Sequence, residues 1–111
     1  MSYNIILTLR FEKELKRLVK KYRSLKNDFS TLIDELEHKP ETGVYIGNDC
    51  YKIRLAISSK NKGKSGGARL ITYLYLKSKT IYLLSIYDKS EKENISPTEL
   101  NEIVSNLNIG D

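Results

Sequence analysis

Apolar side chains along this chain recur first at a helical period, then at a strand period, then at a helical period again. Tyr3 to Leu9 is a short apolar run that reads as a strand, with Thr8 placed to cap a helix that follows at once. Phe11, Leu15, Leu18, Val19 and Tyr22 then fall at i, i+4, i+7, i+8 and i+11, one apolar stripe on an otherwise charged cylinder. After Arg23-Ser24 the spacing returns in Leu25, Phe29, Leu32, Ile33 and Leu36. Two amphipathic helices joined by a tight link should therefore form a hairpin that covers one face of a sheet. Pro40 stops the second helix, and Gly43 and Gly47 mark turns.

Beyond Gly47 the period becomes two. Tyr51, Ile53, Leu55 and Ile57 share one face of a strand and Lys52 and Arg54 the other. The loop Ser58 to Gly67 follows, and then two strands, Ala68 to Leu76 and Thr80 to Asp88, joined by Lys77-Ser78-Lys79 and so paired antiparallel. On the first of these Arg69, Ile71, Tyr73 and Tyr75 oppose Leu70, Thr72 and Leu74. On the second, Ser85, Tyr87 and Lys89 alternate with Leu84, Ile86 and Asp88. Ser96-Pro97-Thr98-Glu99 has the order of an N-cap, a proline at N1 and a glutamate at N3, opening a last helix with Leu100, Ile103, Val104 and Leu107 on one side. The expectation is an α+β fold in one domain spanning 1–111: an N-terminal strand, a two-helix hairpin, an antiparallel sheet and a C-terminal helix.

A chain of 111 residues with 40% hydrophobic residues can build such a core without metal or disulfide support. Its one cysteine, Cys50, allows no intramolecular disulfide and no cysteine-rich metal site, which suits a reducing compartment. The start, Met1 to Leu7, lacks the basic region of a signal peptide, and no apolar run approaches the roughly 20 residues that span a bilayer. A cytoplasmic protein without a membrane partner is expected.

Charge singles out the middle of the chain. Between Tyr51 and Thr80 there are eight basic residues and no acid: Lys52, Arg54, Lys60, Lys62, Lys64, Arg69, Lys77 and Lys79. Residues 1–50 carry nine Lys/Arg against eight Asp/Glu, and residues 81–111 carry two against six. A distribution that uneven makes a local positive potential that attracts polyanions, and nucleic acid is the default partner. The loop from Ser59 to Arg69 mixes lysines with glycines, so ammonium groups and backbone amides can both approach a phosphate. It is not a P-loop: Ser58 stands where the first glycine belongs before Gly63-Lys64-Ser65, and a strand rather than a helix follows. Aromatic rings on the same sheet face as Arg69 would stack on unpaired bases, although tyrosine is also a good strand former and Tyr73, Tyr75 and Tyr82 fit a core or rim role.

The sole histidine, His38, sits beside Lys39 and Pro40 at a helix end, where it reads as a helix C-terminal cation. Zinc hydrolysis and Ser-His-Asp chemistry therefore have little to use. An RNA-cleaving site built from this chain would have a lysine or tyrosine as base and arginines to hold the charge that develops on phosphorus. Lys62, Lys64, Arg69 and Tyr87 are the right types for attack of a ribose 2′-hydroxyl on the adjacent phosphate, a reaction that asks for no metal or other cofactor.

Three segments, Lys52-Ile53-Arg54, Gly63-Lys64-Ser65-Gly66-Gly67-Ala68-Arg69 and Tyr82 to Lys89, resemble the RelE superfamily, especially its HigB-like branch. The motifs cover Asp49 to Leu107, and the order of elements extends the likeness to nearly the whole chain. The resemblance implies a small microbial ribonuclease fold. It also implies a toxin of a type II toxin–antitoxin pair, a ribosome-dependent endoribonuclease that cuts messenger RNA in the ribosomal A site. Carried over, Lys62 and Lys64 would contact ribosomal or messenger RNA and assist proton transfer. Arg69 would stabilise the transition state, and Tyr87 would orient or activate groups at the cut. Lys52, Arg54, Lys60 and Lys89 would support phosphate binding. The implied partners are a cognate antitoxin, the ribosome and its messenger RNA, with DNA reached only through the antitoxin. Two other readings stand beside this one: a ParE-like inhibitor of DNA gyrase on the same fold, and a noncatalytic RNA-binding module that uses the same basic face.

Overall fold

Thr8 both ends the first strand and starts the first helix. Its hydroxyl accepts the Phe11 amide at 3.3 Å, capping the helix, and donates to the Leu83 carbonyl at 2.8 Å, tying that helix start to the sheet. The computed structural model describes residues 2–61 and 63–107. In chain order they form β1 (Asn4–Leu7), α1 (Leu9–Lys21), α2 (Leu25–His38), β2 (Val44–Gly47), β3 (Cys50–Leu55), β4 (Ala68–Tyr75), β5 (Thr80–Asp88) and α3 (Pro97–Ser105). Short 3₁₀ turns at Ser58–Lys60 and Lys64–Gly66 break up the basic loop, and a third spans Leu76–Ser78.

The five strands make one sheet in the order β1-β5-β4-β3-β2. The pairs β2·β3, β3·β4 and β4·β5 are antiparallel, but β1 runs parallel to β5, so the sheet is mixed where an antiparallel one was expected. The helical hairpin explains this: α1 and α2 carry the chain back across the sheet, and a strand separated from β5 by that crossover can lie parallel to it. Periodicity also misses β2. Val44–Gly47 is an edge strand of four residues with Val44 and Tyr45 exposed, too short and too wet to show an alternation.

Phe11 and Leu18 of α1 and Leu25, Leu32 and Leu36 of α2 pack on Ile53, Leu70, Leu74, Ile81, Leu83 and Ile86, the main core on one face of the sheet. On the opposite face α3 contributes Leu100, Ile103, Val104 and Leu107 to a smaller cluster with Cys50, Ile71, Tyr82, Leu84 and Tyr87. Strict alternation would put Leu84 with Ile86 under the helical hairpin. Instead the register of β4 and β5 shifts, pairing Ile71 with Ser85 but Thr72 with Leu83, so Leu84 is an extra residue and turns to the α3 side. The bulge falls where β1 stops pairing. There the Glu14 carboxylate of α1 takes the Ile86 amide at 3.2 Å and the Ser85 hydroxyl at 2.9 Å.

Candidate active site

The α3 side of the sheet divides into a covered part and an open part. Tyr73 and Tyr82 meet edge to face with centroids 6.3 Å apart, and with Tyr75 they lie in or against the cluster beneath α3. The aromatic surface read from the sequence is thus mostly covered by the last helix, and the basic end of the same face stays open.

Register brings Arg54 of β3, Arg69 of β4 and Tyr87 of β5 into one row across three strands. Lys52 lies on the Arg54 face two residues away, and Lys89 follows β5. A cleft of about 560 Å³ forms over this row, lined by Lys52, Arg54, Arg69, Lys89, Glu93 and Asn94. A second cavity, of about 440 Å³, lies between α1 and the end of α3, but Ile6, Leu9, Tyr82, Leu84, Ile103 and Leu107 make it apolar. Its one cation, Arg10, stands between two carboxylates, Glu99 at 2.8 Å and Glu14 at 3.4 Å, so its charge is already balanced.

Arg69 is 4% exposed. Its Nη1 donates to the carbonyls of Lys64 at 2.8 Å and Ala68 at 3.1 Å, and its Nη2 to Ser65 at 3.4 Å. The guanidinium therefore folds the basic loop around itself, and of its five N–H groups two have no partner among the described residues. Burial lowers its pKa and the neighbouring Arg54 lowers it further, with Tyr87 opposing. A guanidinium starts so far above neutrality that it remains charged. Tyr87 shifts the other way: burial raises its pKa, against the pull of Arg69, so at neutral pH it is a phenol. Its hydroxyl is buried without a hydrogen-bond partner among the described residues. The nearby Ile95 amide favours the ionised form but is directed to Asn94 Oδ1 at 3.0 Å.

Gly67 admits this arrangement. A Cβ at that position would overlap the Leu55 carbonyl oxygen, and the Gly67 carbonyl accepts the Lys89 amide at 3.0 Å. The last glycine of the loop thus lets the backbone press against β3 and fixes Lys89 at the cleft.

Of the residues singled out from the sequence, the fold gathers Lys52, Arg54, Arg69 and Lys89 around the cleft, with Tyr87 beside Arg69. Lys64 contributes its carbonyl to Arg69, while its side chain is exposed on the loop. Lys62 lies outside the described residues. Lys60 is elsewhere: its ammonium is 3.0 Å from Asp88 Oδ1, 3.3 Å from the Ser90 hydroxyl and over the Tyr22 ring at 5.1 Å, on the helical side of the sheet. It is 10% exposed and neutralises a fully buried carboxylate, so it is a structural cation rather than a phosphate ligand.

Sequence reasoning missed Glu93 and Asn94. They lie in the stretch after Tyr87, where the count of charges turns acidic, and only the return of this stretch over the sheet brings them to the basic row. Glu93 is the one carboxylate lining the cleft, and it forms no ion pair among the described residues. Among the described residues, no three His, Cys, Asp or Glu side chains gather to hold a metal ion.

A family model described as the RelE toxin of the RelE/RelB toxin–antitoxin system matches residues 9–107. The chain belongs to the RelE family. Its fold agrees with solved RelE structures at low sequence identity. An Escherichia coli RelE mutant in the free state is 20% identical, with a TM-score of 0.64 over 95% of this chain and 97% of that one. The toxin of the intact E. coli RelBE complex is 19% identical, with a TM-score of 0.61 over 78% and 96%. The archaeal RelE–RelB complex of Pyrococcus horikoshii gives 21% and 0.54 over 80% and 97%. This RelE-family chain is thus a toxin of a toxin–antitoxin system, an α+β protein whose basic cleft lies on the sheet face that α3 partly covers. No helix among the described residues is long and apolar enough to cross a membrane.

Proposed function

We propose that the cleft is a ribonuclease site that cuts messenger RNA in the ribosomal A site. The observation that carries this reading is the row Arg54, Arg69 and Tyr87, with Lys52 and Lys89 beside it and one carboxylate, Glu93, that faces the same cavity and enters no ion pair among the described residues. Four cations around one small cleft fit a phosphodiester, and a lone carboxylate among them fits a proton acceptor.

In this reading the scissile phosphate sits among Lys52, Arg54, Arg69 and Lys89. Glu93 takes the proton of the 2′-hydroxyl as O2′ attacks phosphorus. Arg69, held by the loop carbonyls, faces the charge that builds on the phosphorane. The P–O5′ bond breaks, and Lys89 gives its proton to O5′, leaving a 2′,3′-cyclic phosphate and a 5′-hydroxyl end. Tyr87 acts as a positioning residue, packed beside Arg69. Lys62 and Lys64, on the loop that Arg69 anchors, would hold RNA flanking the cut. The cations are attached to a fixed sheet, so little rearrangement is needed as charge develops. A cognate antitoxin, as in the RelE–RelB complexes, would silence the toxin in the cytoplasm by covering this basic surface.

A reconstituted translation reaction, with messenger 5′ ends mapped by primer extension, tests the reading. Cuts that need both the protein and translating ribosomes support it. Intact messenger under those conditions would overturn it and turn attention to gyrase or to RNA binding without cleavage.

A further inference from the structure

A smaller pocket, of about 270 Å³, opens beside the phosphate cleft and shares Lys52 and Asn94 with it. Its walls come from three separate parts of the chain: the β2–β3 hairpin, the stretch before α3, and α3 itself. Ile46, Ile95 and Leu100 make it apolar, and three amides, Asn48, Asn94 and Asn101, stand around it. No cation other than Lys52 lines it, so it is not an extension of the phosphate site.

The amides are only partly used. Asn48 Nδ2 donates to Asn101 Oδ1 at 2.7 Å, which leaves Asn48 Oδ1 and Asn101 Nδ2 without a partner among the described residues. Asn94 Oδ1 takes the Ile95 amide at 3.0 Å and the Lys52 ammonium at 3.2 Å, which leaves its Nδ2 without a partner among the described residues. The pocket thus offers an acceptor and donors above apolar walls. That is the chemistry of the edge and the faces of one unpaired base, since amide side chains can donate and accept together along a base edge.

We propose that this pocket seats the nucleobase next to the scissile phosphate and sets the base preference of the cut. The proposal rests on the nuclease reading and goes beyond it by assigning specificity to Asn48, Asn94 and Asn101. The two cavities meet at Lys52 and Asn94, so a phosphate in one and its neighbouring base in the other are joined as in a single RNA strand.

Asn101 tests it cleanly, being an exposed α3 residue outside the cleft, where alanine suits the helix. Cleavage profiles over a messenger that presents many codons are compared for the unaltered protein, Asn101→Ala and Asn101→Leu in the translation reaction. The expected result is a base preference at one codon position that weakens about tenfold in Asn101→Ala, as for the loss of one base-edge contact, while weakly cut codons are still cut. Asn101→Leu, which also fills the pocket, should change the preferred base. A profile unaltered in both variants, or a uniform fall at every codon, overturns the pocket assignment and leaves the nuclease standing. Absence of ribosome-dependent cuts by the unaltered protein overturns both.

Discussion

Arg69 on β4 and Tyr87 on β5 are register partners across an antiparallel pair, both at least nine-tenths buried, and each opposes the other's burial-driven pKa shift. A buried guanidinium beside a neutral phenol keeps its charge without a carboxylate to neutralise it. Among the described residues Arg69 enters no ion pair, and its bonds go to loop carbonyls. The pair is therefore built to keep positive charge at the cleft.

Replacing Arg69 with lysine keeps the charge and removes the fork. Lysine cannot reach the Lys64, Ala68 and Ser65 carbonyls together with a phosphate, so the loop and the transition state compete for one ammonium. Cleavage in translation reactions should fall about 10²- to 10³-fold, in line with the loss of a main charge-stabilising donor. Urea unfolding should show a loss of about 1–2 kcal/mol from the freed carbonyls. Near-normal cleavage by Arg69→Lys would remove Arg69 from its assigned role.

Tyr87→Phe separates the ring from its hydroxyl. The hydroxyl has no partner among the described residues, so deleting it costs no hydrogen bond and relieves an unpaired polar group. Stability should stay level or rise by about 1 kcal/mol, and cutting should remain within roughly tenfold of the original. Tyr87→Ala opens a cavity under Ile95 and Leu100 and should cost about 3 kcal/mol. A collapse of cleavage in Tyr87→Phe with stability intact would make the hydroxyl itself a catalytic group.

Glu93→Gln removes a negative charge from a cleft of four cations. If Glu93 accepts the 2′-hydroxyl proton, cutting slows by about 10²-fold or more, while binding to ribosomes stays level or tightens. Weakened binding with an unchanged rate of cutting would assign the proton to another group.

Most of this fold is written locally. Thr80–Asp88 shows its full strand length in an unbroken β-forming run, and the helices show theirs through apolar spacing and through Thr8 and Ser96 as caps. The basic row is legible too, because Arg54, Arg69 and Tyr87 each sit at a readable alternation on a readable strand. What local patterns cannot carry is long-range compensation. The extra residue at Leu84 coincides with the end of β1 pairing at Leu7 and with Glu14 binding the edge left beyond it, 72 residues away along the chain. Lys60 looks like any loop lysine until Tyr22 and Asp88 are brought beside it. Glu93 and Asn94 belong to the cleft through tertiary return of the chain, not through a motif.

Asp88 is expected to make the fold sensitive to acid. Burial alone would raise its pKa, but hydrogen bonds from the Tyr22 hydroxyl, the Ser90 amide and hydroxyl, and the Lys60 ammonium more than offset that and hold it well below its ordinary value of 3.8. A carboxylate depressed in the folded state binds its proton more readily when unfolded. Its contribution is therefore complete above pH ~4 and is lost as pH falls through the folded-state pKa. Asp88→Asn leaves Lys60 without its counter-ion on the helical side of the sheet and should cost about 3 kcal/mol at neutral pH. The same variant should lose less stability than the unaltered protein on going from pH 5 to pH 2, because the titrating group is gone. Urea unfolding of both proteins across that range measures the difference. Parallel stability curves would show that the acid sensitivity resides elsewhere, with Glu91, held down to about 2 by Arg17 and Lys21, as the next group to replace.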